Sequence, residues 1–332
     1  MKRVCFIHRK IADTPSIERV FGILANEMAE TDLEVIEVRL PYSNRALGVL
    51  GNLLFFRPPA ADIFHITGHV HYVALGLPPE KTVLTVHDLG ILRNRIGWKR
   101  RIIKKLFFDW PFRRLRYMTA ISEATKLEMI EKADCEPQKI TVINDPVDPK
   151  MPVVRHAFRA EKPSILLVGT ARHKNIARVI EAVKGLPCKL VIIGKLDAGL
   201  TSQLRDADIE FENVNAETDE QLYAIYESSD LVVFCSTFEG FGLPIIEAQA
   251  MGIPVITSDL APMNQVAGDG AVLVDPRDTV QIRKAIKTVI ADAHLRYKIV
   301  NNGTENVNRF DPSKIASEYV MLYRQIWGEK QL

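Results

Sequence analysis

The chain has 332 residues, 47% of them hydrophobic and 25% charged, and a formal net charge of +2. Its length exceeds what one hydrophobic core usually organises, so two domains are expected, and its composition excludes wholesale disorder. The near-neutral total says little; the distribution of charge along the chain says more.

Residues 3–8 form a short apolar run that reads as a buried strand. A polar loop, 9–15, leads to Ser16, which can cap a helix whose apolar residues Ile17, Val20, Phe21, Leu24 and Met28 recur at helical spacing. Further strands are predicted over 33–40, 62–67, 82–87, 117–121 and 140–143, with a helix starting at Ser122. Two prolines within 144–149 break regular structure and mark a linker. The alternation then restarts. Strands are predicted over 165–168, 190–193, 209–211, 231–234, 254–257 and 271–274, with helices between them. The last sixty residues are helical by pattern, and Asp311-Pro312 starts the final helix. Strands alternating with helices imply parallel sheets covered on both faces. The expectation is an α/β protein of two Rossmann-like domains, 1–148 and 149–310, with a C-terminal helix in 311–332 packing back on the first. Ligands of such sheets bind beyond the carboxyl ends of the strands, so the crevice between the domains is the expected site.

Cys5, Cys135, Cys188 and Cys235 are far apart and include no CxxC pair, which argues against zinc-ribbon and thioredoxin readings. The N-terminal apolar stretch is too short for a signal peptide, and no run reaches the roughly 18 apolar residues of a membrane span. A cytoplasmic protein is expected.

The segment 236–255 carries the most chemistry. Gly240 and Gly242 allow the backbone to approach a ligand, and Pro244 suits the first turn of a helix. That helix start offers free N–H groups and a positive dipole end to a diphosphate. Glu239 and Glu247 supply carboxylates that accept hydrogen bonds from vicinal diols. The bland alternative is a glycine-punctuated strand-to-helix turn. The whole segment resembles glycosyltransferase family 4, also called group 1: Glu239-x7-Glu247 encloses Gly-Phe-Gly-Leu-Pro, and Ala250, Gly252, Pro254 and Val255 follow in the family's spacing. Val266-Ala-Gly-Asp269 and Val274-Asp-Pro276 extend the likeness, while Asn264-Gln265 replaces a common Pro-Glu.

The resemblance implies a GT-B fold, with both parallel sheets facing a central cleft. It implies a retaining, metal-independent glycosyltransferase of the mannosyltransferase-like branch. By it, Glu239 contacts the donor hexose and Glu247 holds the ribose. The backbone of Phe241, Gly242 and Leu243 meets sugar and phosphate. Gly169 and the 168–175 loop face the diphosphate, with Lys174 and Arg172 as its cations. His87, in Val86-His-Asp-Leu89, contacts the donor sugar, with Asp88 placed to orient it. No cofactor is implied beyond the nucleoside-diphosphate sugar as co-substrate, and the acceptor is a glycan or a lipid-linked hydroxyl. Alternatives are an epimerase of the same fold and an inactive sugar-nucleotide-binding subunit.

On the acceptor side, Ser16 and Glu18 are candidates, with simple helix capping as the alternative. His65, His69 and His71 form an H-x3-H-x-H cluster. A metal site is the lesser reading; His65 lining the acceptor cleft is preferred. Residues 93–116 hold ten basic residues against one acid, Asp109, interleaved with Trp98, Ile102, Phe107 and Trp110. A basic amphipathic helix with aromatics suits an anionic membrane surface at the inner face of the membrane. No nucleic-acid-binding motif accompanies it, and a core-facing helix with a solvated basic back is the rival.

Overall fold

The computed structural model describes residues 1–10, 16–93 and 97–328. Residues 11–15 of the first loop and Arg95 of the basic segment lie outside them. The chain divides into two compact units, one of Met1–Pro146 with Asp311–Leu332, the other of Val147–Phe310.

In the first unit, strands β1 (Lys2–His8), β2 (Leu33–Arg39), β3 (Ile63–Ile66), β4 (Thr82–Val86), β5 (Tyr117–Ala120) and β6 (Ile140–Val142) form one sheet in the order β2-β1-β3-β4-β5-β6. Every pairing is parallel. Strand alternation divides the core in two. Phe6 and His65 point to one face, where Phe21 of helix Ser16–Met28 and Tyr319 and Tyr323 of helix Pro312–Ile326 pack on them. Cys5, Ile7, Ile66, Leu84 and Val86 point to the other, against Tyr72, Phe107, Phe108 and Phe112. Helix Pro312–Ile326 starts as its sequence predicts: the Asp311 carboxylate accepts from the amides of Ser313 and Lys314, and Pro312 sits in the first turn.

Two elements differ from expectation. Helix Ala46–Phe55 carries no apolar period to betray it, being apolar nearly all round, and its N-cap Arg45 makes no side-chain bond. Buried Asn52 fixes it: its amide donates to the Tyr42 carbonyl and the Tyr72 hydroxyl and accepts from the Tyr42 amide. The basic helix runs over 97–114 with a π-helical turn, Lys105–Asp109, in its middle. Phe107, Phe108 and Phe112 face the core, while Trp98, Ile102 and Trp110 stay exposed. The solvated back therefore keeps apolar side chains of its own.

In the second unit, β7 (Ser164–Val168), β8 (Lys189–Ile193), β9 (Glu210–Val214), β10 (Leu231–Phe234), β11 (Val255–Ser258) and β12 (Val272–Val274) form a parallel sheet in the order β12-β11-β10-β7-β8-β9. This is the doubly wound dinucleotide-fold order. Strand β7 connects onward to β8 on one side, and β10 connects to β11 on the other. The loops after β7 and β10 therefore diverge and leave a crevice at the carboxyl edge.

Candidate active site

The crevice of the second unit brings together Lys174 from the loop after β7 and Glu239 from the loop after β10. Lys174 Nζ donates to Glu239 Oε1 at 2.7 Å, with both side chains mostly buried. The same ammonium lies 4.6 Å from the centre of the Phe234 ring. Gly169 makes room for it. Its φ is +87°, and a Cβ there would stand 2.9 Å from Lys174 Cε. The two loops are also tied through the backbone, the Thr237 amide donating to the His173 carbonyl at 2.8 Å. Asn175, in the left-handed region at φ 62°, donates its side-chain amide to the carbonyls of Cys235 (3.0 Å) and Pro276 (2.6 Å). This buried clamp holds Lys174 on a rigid turn.

Helix Leu243–Ala250 follows directly. Gly242 is its N-cap at φ +120° and, having no side chain, gives the first amides no side-chain cap. The Phe241 ring is buried edge-on against Phe310, so its backbone is what it offers a ligand. Glu247, one turn in, is buried, and the Tyr226 hydroxyl donates to its Oε2 at 2.6 Å. Arg172 is exposed and makes no side-chain hydrogen bond or ion pair among the described residues. The assembly combines one fixed cation, an uncapped helix start and two separately held carboxylates. Chemically it can hold an anion and, beside it, hydroxyl groups.

In the first unit, His87 follows β4. Its Nε2 lies 2.8 Å from the Thr67 carbonyl, so Nε2 carries the hydrogen and Nδ1 presents a lone pair. Burial, then repulsion from His69, lowers its pKa to about 4 and keeps the ring neutral. Asp88 does not orient it, contrary to expectation. Its Oδ1 accepts from the Gly90 amide at 2.6 Å and its Oδ2 faces His69 at 3.7 Å, leaving the Thr67 carbonyl to set the ring.

His65 is also corrected. It is fully buried between β3 and helix Pro312–Ile326, with Nδ1 2.6 Å from the Tyr323 hydroxyl and Nε2 2.7 Å from Thr85 Oγ1. A ring with both nitrogens used inside the core lines no acceptor site. His71 is buried on the opposite face, bonded to the Phe107 carbonyl at 2.8 Å. Among the described residues no group of His, Cys, Asp and Glu is arranged to hold a metal ion. Glu18 pairs with Arg9 at 2.7 Å, and Ser16 is exposed at the helix start.

Tyr226 and the clamp made by Asn175 escaped sequence reasoning. Leu222 and Tyr226, four residues apart, read as an ordinary apolar stripe, and nothing local shows that a hydroxyl ends on a carboxylate of another helix.

The two Rossmann-like parallel sheets, with charged loops at the second one's switch point, make up a GT-B fold. The family model described as glycosyl transferases group 1 matches residues 153–306, and that of glycosyltransferase family 4 matches 24–151. The chain belongs to this glycosyltransferase family. It is similar to the O-antigen chain mannosyltransferase RfbU of Salmonella typhimurium, 26% identical over 225 residues, covering 64% of this chain and 63% of RfbU. The match thus spans less than two thirds of RfbU's length. Sucrose-phosphate synthase from Thermosynechococcus elongatus has a like fold, with a TM-score of 0.80 at 17% identity over 99% of this chain and 100% of that one. So does Anabaena HepE, solved in complex with UDP and glucose, with a TM-score of 0.75 at 17% identity over 98% and 100%. Among the described residues no helix is long and apolar enough to cross a membrane.

Proposed function

We propose that the chain moves a hexose from a nucleoside-diphosphate sugar to a hydroxyl of a glycan or lipid-linked acceptor, with retention of anomeric configuration. The observation that carries this reading is the Lys174–Glu239 pair at the switch point, beside the uncapped start of helix Leu243–Ala250. Cleaving a sugar–phosphate bond leaves a diphosphate whose growing charge must be met by fixed positive groups. Lys174, the first amides of the helix and Arg172 meet it, without need of a metal ion. Glu239 turns from the ammonium to the hexose hydroxyls, and Glu247 holds the ribose. His87 offers its neutral Nδ1 to a sugar hydroxyl. We assign no enzymatic nucleophile: the acceptor attacks from the face the diphosphate leaves, and the departing phosphate takes the proton.

The name of RfbU supports a mannosyl donor and a polysaccharide acceptor; the HepE complex supports a UDP-linked one. Incubating the protein with GDP-mannose or UDP-glucose and following the anomeric proton of the product by NMR tests the reading. An axial donor linkage retained in the product is expected. Inversion, or no turnover of any nucleotide sugar, sinks it. The basic helix over 97–114 further favours work at an anionic membrane surface, where a lipid-linked acceptor resides.

A further inference from the structure

Two helices of the first unit carry apolar side chains that stand exposed among the described residues. The connections β2 to β3 and β4 to β5 step across the sheet in the same direction. Right-handed crossovers therefore put helix Ala46–Phe55 and the helix over 97–114 on one face, and both pack against the turn His71–Gly76. On the first helix Leu47 is 86% exposed, and Leu50, Leu54 and Phe55 are each more than half exposed. Leu47, Leu50 and Leu54 recur at i, i+3 and i+7, one continuous stripe. Val49 and Asn52 are the helix's buried positions, so the stripe is a second apolar surface facing outward. An exposed apolar patch of this kind marks an interaction site.

Charge says what covers it. Between Glu37 and Asp62 the chain has no acidic residue and three arginines, Arg39, Arg45 and Arg57. Arg45 and Lys10 line a groove of about 540 Å³ at the first turn of the helix, with Tyr42, Ser43 and Leu47. The neighbouring helix adds Arg100, Arg101 and Lys105, which have no acidic partner among the described residues, around exposed Trp98, Ile102 and Trp110. A second copy of the chain docked symmetrically would set arginine against arginine. An anionic bilayer matches both properties at once. Leucines reach the acyl boundary, arginines stay with the headgroup phosphates, and tryptophans lie between.

We propose that helix Ala46–Phe55 inserts its leucine stripe into an anionic phospholipid bilayer while the basic helix lies on the headgroups beside it. This deepens the membrane-surface reading of 97–114, on which it rests, by naming the element that enters the apolar layer.

Flotation with vesicles of phosphatidylcholine alone, or mixed with phosphatidylglycerol, separates the two parts. The wild type binds the anionic vesicles at physiological salt. Leu47→Gln/Leu50→Gln/Leu54→Gln, which alters exposed positions only, loses about 10-fold in binding, and what remains is removed by salt, as expected of charge alone. Arg100→Gln/Arg101→Gln/Lys105→Gln weakens binding at low salt, and the binding that remains no longer falls with salt, as expected of the leucine stripe alone. Wild-type binding by the leucine variant at both salts overturns insertion and leaves the headgroup reading standing. No binding by the wild type overturns both. A leucine variant that turns a dimer into a monomer in sedimentation, with vesicle binding unchanged, shows the stripe to be a self-association face and overturns the proposal. Circular dichroism melts of both variants check that they fold.

Discussion

At the carboxyl edge of the β7–β12 sheet, Lys174 and Glu239 stand as an ion pair; at the carboxyl edge of the β1–β6 sheet, His87 stands neutral against a carbonyl. The second unit collects charge on rigid turns. Asn175 clamps the lysine's turn, Tyr226 holds Glu247, and the helix start is left uncapped. The first unit removes charge instead. Burial pushes His65 and His71 down to about 3 and His87 to about 4, and each ring is fixed by neutral partners. One edge thus sets out fixed charge, and at the other His87 presents a neutral ring while His65 and His71 stay inside the core. On the proposed reading, the charged edge takes the leaving group and the neutral ring a hydroxyl.

Removing the carboxylate of the charged edge has the largest effect. Glu239→Ala is expected to lower transfer by ~10³-fold or more while the melting temperature stays near that of the wild type. Wild-type-like activity in that variant contradicts the assignment. Lys174→Ala comes next, with a loss on the order of 10²–10³ in kcat, the usual scale for deleting one group that stabilises developing charge. A change confined to KM would instead make Lys174 a ground-state contact. At the neutral edge, His87→Ala costs roughly 10²-fold, within the range of a positioned proton or hydrogen-bond partner. A loss equal to that of Glu239→Ala would erase the contrast between the edges.

The neutral histidines also make a stability prediction. Between about pH 4 and 6.5 they are unprotonated in the fold but protonated in the unfolded chain. The unfolded state then binds more protons, so stability falls as pH drops from 6.5 towards 4. Asp145, pushed up to about 7 by burial, acts oppositely. It is protonated in the fold and ionised when unfolded, so it adds stability as pH falls through 7. Three histidines against one aspartate leave a net uptake of about two protons, on the order of 2–3 kcal/mol per pH unit at the steepest. All three tryptophans, Trp98, Trp110 and Trp327, belong to this unit, so urea titrations followed by their emission read it directly. A midpoint that stays flat from pH 6.5 to 5 contradicts neutral burial of the histidines. The smallest effect is expected from Tyr226→Phe. Losing one hydrogen bond to Glu247 raises the donor KM by about 5–10-fold with kcat little changed; an unchanged KM assigns Tyr226 to packing alone.

Much of the charged edge was legible in the sequence, because its parts are contiguous. Gly240 to Glu247 lie on one turn and one helix, and Lys174 follows its strand by six residues. The strand alternation was equally readable, since each β-run is short, apolar and bounded. The neutral edge was harder. His65 and His71 differ in role only because strand pleat and a following turn send them to opposite faces of the sheet, and the partner that fixes His65, Tyr323, lies 258 residues away. Asp88 was the adjacent candidate to orient His87, but the Thr67 carbonyl, on a neighbouring strand's end, does so. Helix Ala46–Phe55 hid for a different reason. A helix apolar on both its inner and outer sides has no period to detect.

The central claim is that a nucleoside diphosphate binds between the loops after β7 and β10, held by Lys174. Calorimetric titration of UDP and GDP into the wild type and Lys174→Ala tests it most directly. One nucleotide binding the wild type selectively, and at least ~10-fold more weakly in the variant, is the predicted result. Equal affinity in both proteins, or no binding of either nucleotide to the wild type, would contradict it.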